Sequence, residues 1–285
     1  MNSEQTIETL LAQLELTSGY RRERLDIHKE LLHSGNNTFS AILLTVEDGA
    51  LLQQTYRLLS GTFEGEMDDF RPLVNEWILD PNIAYHAICN RTGEVIAAAN
   101  CSYLPLESRG VLAVWYVAVS SEHRGKRLVH ELYHNMYQFA SNRSAALGVK
   151  LSAIVGEASH ADLETIERVL RRPEIARKRV YYSTEMGEVE VPYVSPPLKW
   201  SVEGIATEEA EPNHLMVKMV TGCERMSVNE LMGIITAIYT DSYVPREEDF
   251  RDRGAHERAC GIVRGYLNGI ETALASARGA EVFLR

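Results

Sequence analysis

The sequence predicts a mixed α/β fold of the α+β kind: a mostly antiparallel central sheet flanked by helices, with helical additions at both ends. Three observations carry this. Short apolar segments separated by turn residues occupy the middle of the chain, helix-spaced segments stand between them, and helical spacing dominates the two ends.

At 285 residues the chain exceeds a usual single domain, which implies a core of about 150 residues with substantial additions. Ile7, Leu10, Leu11 and Leu14 recur at helical spacing, and a second helical stretch runs through Leu25, Leu31 and Leu32 to Ser34-Gly35-Asn36. Residues 1–40 are therefore expected to form an N-terminal helical segment. Ala41 to Val46 reads as a strand, followed by helices from about Ala50 to Phe70 and Pro72 to Leu79. Tyr85 to Cys89, the turn Arg91 to Glu94, and Val95 to Tyr103 make a hairpin. Val111 to Val119, the longest apolar run, has the unbroken character of a strand buried on both faces.

Arg124 to Lys126 form a polar loop before a helix from Leu128 to Ala140, with Leu128, Leu132, Met136 and Phe139 along one side. Leu151 to Val155 is a further buried strand. Ser159 and Asp162 box the start of a helix through Leu163, Ile166 and Leu170 that stops before Pro173. Val180 to Tyr182, Glu188 to Val191 and His214 to Val220 read as short strands, closing a middle domain over residues 41–220. Residues 221–285 form a helical extension: Ser227 with Glu230 is a capping box for Leu231 to Tyr239, and Ala259, Ile262, Tyr266, Ile270 and Leu274 mark a long last helix.

Composition narrows the function classes. Hydrophobic residues at 45% and charged residues at 24% are the proportions of a folded globular protein. No apolar run approaches the ~18 residues of a membrane helix, and no basic-then-apolar leader is present, so neither a membrane span nor a secretion signal is expected. Cys89, Cys101, Cys223 and Cys260 lie far apart without a CxxC pair, which favours free thiols in a reducing cytoplasm. A net charge of -11 without a basic stripe argues against nucleic acid and suits a cationic small molecule.

The stretch Val117-Ala-Val-Ser-Ser-Glu-His-Arg-Gly-Lys-Arg-Leu-Val-His-Glu-Leu132 resembles the signature of the GNAT acetyltransferases, a strand, an RxxGxG or RxxGxA loop and a helix. The order of elements from about Ala41 to Val220 is similar to that family's. Backbone N–H groups at a helix N-terminus favour an anion, which is the physical reason for such a loop. The resemblance implies an acyl-coenzyme A-dependent N-acyltransferase, using acetyl-coenzyme A or a near relative. The acyl group would pass to a small-molecule amine by direct attack on the thioester. It assigns Arg124, Gly125, Lys126, Arg127, Leu128, Val129 and His130 to the diphosphate cradle, and Val117, Ala118 and Val119 to the wall beside the pantetheine arm. Arg127 and Val129 depart from the small residues usual at their places.

Some relatives use a glutamate on the strand before the loop as general base. Ala113 stands at the matching place, and Glu157, expected just past the strand Leu151 to Val155, is the substitute. Tyr181, Tyr182 and Tyr193, in that order, are candidates for the acid that protonates the departing thiolate. Pro192 to Leu198, an extended proline-stiffened crossover, borders the acceptor pocket in this reading.

Two other readings compete. His130-Glu-Leu-Tyr-His134 spells HExxH, which on a helix places two imidazoles on one face to hold zinc beside Glu131, with Glu157 as a third ligand of a hydrolase. Arg127, Val129 and Ala113 also fit a non-catalytic acyl-coenzyme A binding module. Finally, Gly261, Gly265 and Gly269 recur every four residues on the last helix, and each costs about 1 kcal/mol against alanine. Close approach of another helix, of a homodimer partner or of a long acyl chain is expected there.

Overall fold

The computed structural model describes residues 30–34, 37–63, 80–159, 186–189, 191–222, 225–275 and 281–283. These residues fall into two compact units: one takes the described residues up to Tyr103 together with Val114–Arg143, the other takes Leu104–Ala113 and the described residues from Ser144 onward. The strand Arg109–Val119 is thus divided between them.

In the first unit β1 (Glu30–Ser34), β2 (Asn37–Leu43), β3 (Ile83–Cys89) and β4 (Val95–Leu106) form an antiparallel meander. Residues 30–34 are strand where helix is expected. The pairing of Ser34 with Asn37 leaves two residues between them, Gly35 and Asn36, which are types that two-residue hairpins favour. The expected helix through Ile7 and Leu14 lies outside the described residues. At the β3–β4 turn, Asn90 Oδ1 accepts hydrogen bonds from the backbone N–H groups of Thr92 and Glu94, and Gly93 supplies φ 81°.

Helix α1 (Gly49–Ser60) buries Leu52, Thr55 and Leu59 at helical spacing, and Leu52 and Leu59 join a core with Leu44, Tyr85, Ala87, Ala98 and Ala118. Its described helical run ends at Ser60, ten residues before the expected end at Phe70. The second half of β5 (Arg109–Val119) follows β4, and a 3-10 turn over Ser121–His123 leads to α2 (Leu128–Ala146). Leu128, Leu132, Met136 and Phe139 are its buried side, as the spacing predicts.

In the second unit β6 (Lys150–Ser159) pairs antiparallel with β9 (Glu211–Met219), which also carries β7 (Gly187–Val189) and β8 (Val194–Ser195). The predicted capping box is present: the Glu230 amide donates to Ser227 Oγ, the Ser227 amide to Glu230, and α3 (Val228–Ile238) follows. Arg109 pairs with the same Glu230 carboxylate. A π-helical turn, Tyr239–Tyr243, leads away from α3 towards α4 (Arg253–Ala275), and β10 (Arg225–Ser227) pairs with β11 (Glu281–Phe283). Helix α4 buries Ala255, Ala259, Val263, Ile270 and Leu274. Of the expected approaches to its glycine face, that of another helix of this chain is not found among the described residues. A Cβ built at Gly261, Gly265 or Gly269 meets no heavy atom within 4 Å among the described residues, because the helix turns its alanine and branched-residue face inward instead.

At Gly204 two backbone segments of this unit come close together. It sits in a loop closed by the Trp200–Ala206 bridge, at φ 75°, and a Cβ there would lie 2.0 Å from the carbonyl oxygen of Ala255. Gly204→Ala is therefore expected to lower unfolding stability by about 3 kcal/mol, through left-handed strain added to displacement of the α4 backbone. Urea unfolding of the variant checks this, and an unchanged midpoint would contradict it.

Candidate functional site

Two constellations carry chemistry. The first lies in the first unit, where β5 runs into α2. Ala118 is buried in the core, while Val117 and Val119 keep part of their surface. The 3-10 turn then brings the chain to Arg124, exposed and extended at φ -61°, ψ 149°. Gly125 takes φ 80° and Arg127 φ 59°, and Arg127 is the one non-glycine residue with positive φ among those described. The sign of φ thus alternates along Gly125, Lys126 and Arg127, the geometry that turns successive amides into one concavity.

Arg127 stands where a glycine is usual, and its backbone keeps the conformation a glycine would take. That conformation costs a non-glycine residue about 1–2 kcal/mol. Strain of this kind is found at ligand-binding turns more often than elsewhere. Leu128 then anchors the helix by burial, and the amides of Leu128 and Val129 have no carbonyl a turn earlier in the helix to bond, whereas that of His130 bonds the Arg127 carbonyl. A Cβ at Gly125 would meet nothing within 4 Å, so the concavity is open. Arg124 and Arg127 are exposed and Lys126 partly so, giving three cations around a ring of amides at the positive end of a 19-residue helix. The donor set fits a diphosphate.

His130 is exposed one turn into α2, its amide bonded to the Arg127 carbonyl at 3.0 Å. His134 is exposed and its Nε2 contacts Gln138 Nε2 at 2.8 Å. His130, Glu131 and His134 thus share a helix as their spacing requires. No group of three His, Cys, Asp or Glu suited to a metal ion occurs among the described residues.

The second constellation lies in the second unit and centres on Glu157. The sequence places this residue just past a strand end; in the structure β6 continues through Ser159, and Glu157 stands inside it opposite Leu215 of β9. Pairing along β9 keeps the strand going where Gly156 and Glu157 break the apolar run. Three hydroxyl groups donate to the carboxylate: Tyr193 to Oε1, Tyr243 to Oε2, and Ser195 to Oε2 at 2.9 Å. Asn213 Nδ2 donates to Ser195 Oγ at 2.6 Å, fixing that hydroxyl. Tyr239 packs edge-on against Tyr193, with ring centroids 6.0 Å apart, and lies tilted against Tyr243 at 5.6 Å. Its own hydroxyl donates to the Val194 carbonyl.

Burial pushes the Glu157 carboxyl above the usual carboxylate range, and the hydrogen bonds from Tyr193, Tyr243 and Ser195 work against that rise. Burial beside this carboxylate raises the Tyr193 phenol well above its ordinary value. No cation pairs with Glu157 among the described residues. The cluster is a carboxyl group surrounded by neutral donors, which in its ionised form can accept a proton or face an ammonium group.

Of the three tyrosines singled out in the sequence, Tyr193 joins this cluster, and Tyr181 and Tyr182 lie outside the described residues. The proline-stiffened crossover contributes both Tyr193 and Ser195. Tyr243 and Asn213 carry no sequence signal, since nothing local distinguishes them.

Residues 52–167 match the family model described as Acetyltransferase (GNAT) family. The comparison with curated proteins finds no match. Among solved structures the chain is similar to an aminoglycoside 6'-N-acetyltransferase complexed with coenzyme A, at 16% identity and TM-score 0.42, covering 63% of this chain and 96% of that one. It is also similar to an aminoglycoside acetyltransferase from an uncultured soil metagenomic sample, at 14% identity and TM-score 0.37, covering 47% and 86%. A third is an acetyltransferase of Trypanosoma brucei, at 20% identity and TM-score 0.34, covering 46% and 90%. At these TM-scores the likenesses add nothing to the family match.

Proposed function

We propose that the chain, whose residues 52–167 match the GNAT acetyltransferase family model, transfers the acyl group of an acyl-coenzyme A to a small-molecule amine by direct attack, with Glu157 as general base. The observation that carries the reading is the alternating backbone of Gly125, Lys126 and Arg127 at the head of α2. Acetyl-coenzyme A, when bound, supplies a thioester whose carbonyl carbon gains a C–N bond to the amine as its C–S bond breaks.

The chain's own residues do the rest. Amides from Gly125 to Val129, with Arg124, Lys126, Arg127 and His130, hold the diphosphate, and Val117, Ala118 and Val119 line the neighbouring strand. The Glu157 carboxylate takes the proton that leaves the amine nitrogen, and a tyrosine hydroxyl, from Tyr181, Tyr182 or Tyr193, returns one to the sulfur. Residues 41–220 form the acyltransferase domain in this reading, between the segment 1–40 and the extension 221–285. Cysteines without a pairing pattern support a reducing, cytoplasmic setting. No helix among the described residues is long and apolar enough to cross a membrane.

Thermal unfolding with coenzyme A tests the cradle. Ligand at about a hundred times its Kd adds about 2.7 kcal/mol, which raises Tm by several degrees. Lys126→Glu, which sets a negative charge beside the phosphates, is expected to weaken binding at least tenfold, or about 1.4 kcal/mol. Absence of any shift with millimolar coenzyme A would overturn the proposal. Thiol release from acetyl-coenzyme A with a panel of primary amines separates turnover from binding alone.

A further inference from the structure

Tyr243 belongs to the C-terminal extension, far beyond the family match, yet its hydroxyl reaches the Glu157 carboxylate across 86 residues of sequence. A π-helical turn puts it there. Residues 239–243 continue from the end of α3 with one extra residue per turn, and the Val244 amide bonds back to the Tyr239 carbonyl at 3.1 Å. Such turns are uncommon and concentrate at functional sites. Both Tyr239 and Tyr243 are buried as a result, and Tyr239 is pinned through its hydroxyl to the Val194 carbonyl, between Tyr193 and Ser195. The extension is thereby fastened, at this turn, to the crossover that supplies the other two donors.

We propose that Tyr243 is a positioning residue: the C-terminal extension completes the acyltransferase by holding the Glu157 carboxylate ionised and aimed through this one hydroxyl. The inference rests on Glu157 acting as base. Oε2 receives two donors, Tyr243 and Ser195, and Oε1 receives Tyr193. The titratable groups facing the carboxylate among the described residues are Tyr193 from the crossover, Tyr243 from the π turn and, one ring further, Tyr239 from the same turn. None carries positive charge, so neutral donors alone favour the charged form. Removing one of three raises the affinity of the carboxylate for a proton.

The test follows the carboxylate itself. In the full chain with 13C-labelled glutamate side chains, the Glu157 signal is assigned by its loss in Glu157→Gln and titrated. Tyr243→Phe is expected to move its midpoint up by about one pH unit, and the acidic limb of kcat/KM for thiol release from acetyl-coenzyme A moves with it. Incorporating 3-fluorotyrosine at position 243 makes the phenol a stronger donor and moves the midpoint down. A group that merely packs predicts no shift in either variant, and an unmoved midpoint in both would overturn the proposal. Should Tyr243→Phe fail to fold, the fluorinated residue, which keeps the ring and hydroxyl, decides alone. Full turnover by Glu157→Gln across pH would instead remove Glu157 as base while leaving the midpoint shifts intact, so the two failures are distinct.

Discussion

Glu157→Gln is expected to lower turnover about a thousandfold near neutral pH while leaving the protein folded. The substitution keeps the side chain's shape. One oxygen still accepts from a hydroxyl, and the new amide can donate where an oxygen accepted, because the Tyr193, Tyr243 and Ser195 hydroxyls can each turn from donor to acceptor. What disappears is the ability to take a proton. The pH profile carries the sharper signature. Burial raises the Glu157 carboxyl from its ordinary 4.5, so the wild-type acidic limb should fall above that pH, where the carboxylate gains its proton and ceases to act as base. In Glu157→Gln the residual rate should lack this limb. Steady-state kcat/KM measured from pH 4 to 9 with one turned-over amine checks both, and an unchanged limb would assign the titration to another group.

How much of this was legible in the residues differs between the two constellations, for a physical reason. The loop at Arg124 to Leu128 is local: a strand ending at Val119, a polar stretch and a helix starting at Leu128 follow one another, and their order alone places amides at a helix end. The Ser227–Glu230 capping box is local in the same way and is found as expected. The Glu157 cluster is not. Its donors are separated from it by 36, 38 and 86 residues, and only the pairing of β6 and β8 with β9 and the π turn after α3 bring them together.

The same distinction explains the misplaced strand end. Gly156 and Glu157 interrupt an apolar run, which by periodicity closes a strand, but β9 supplies ladder partners as far as Asn213 and the strand continues. At the other end of the chain, Leu31 and Leu32 fit helical spacing with Leu25, and the hairpin to β2 takes them instead. The glycines of α4 show the converse limit. Spacing marks a smooth face, but only the packing of Ala255, Ala259 and Val263 shows which face the helix turns inward.

His86 shows what a side chain without local meaning does in the core, and it yields the second large effect, on acid stability. It lies in β3, 2% exposed, its ring edge-on to Phe139 at 6.1 Å, and neither ring nitrogen has a hydrogen-bond partner among the described residues. Burial lowers its pKa from 6.5 to about 3. Between these values the unfolded chain binds a proton that the folded chain refuses. Unfolding stability is therefore fully present above pH 6.5 and falls by about 1.4 kcal/mol for each unit below it, levelling as the folded pKa is reached. Over three units the loss approaches 4 kcal/mol, a large part of the margin of an ordinary domain. Other groups titrate in the same window with either sign: Glu157, raised, opposes the loss, whereas Glu230 and Asp252, lowered by backbone hydrogen bonds, add to it at the acid end. Comparison with His86→Leu isolates the histidine, because the carboxylates are common to both proteins. The leucine variant removes two unpaired nitrogens at similar volume, so its stability at pH 7.5 should equal or exceed the wild type's. From pH 6 to 4 its urea midpoints should fall less steeply, by the equivalent of about 1.4 kcal/mol per unit. Parallel curves would mean that His86 keeps its proton in the folded chain, and that the core around Phe139 admits a charge.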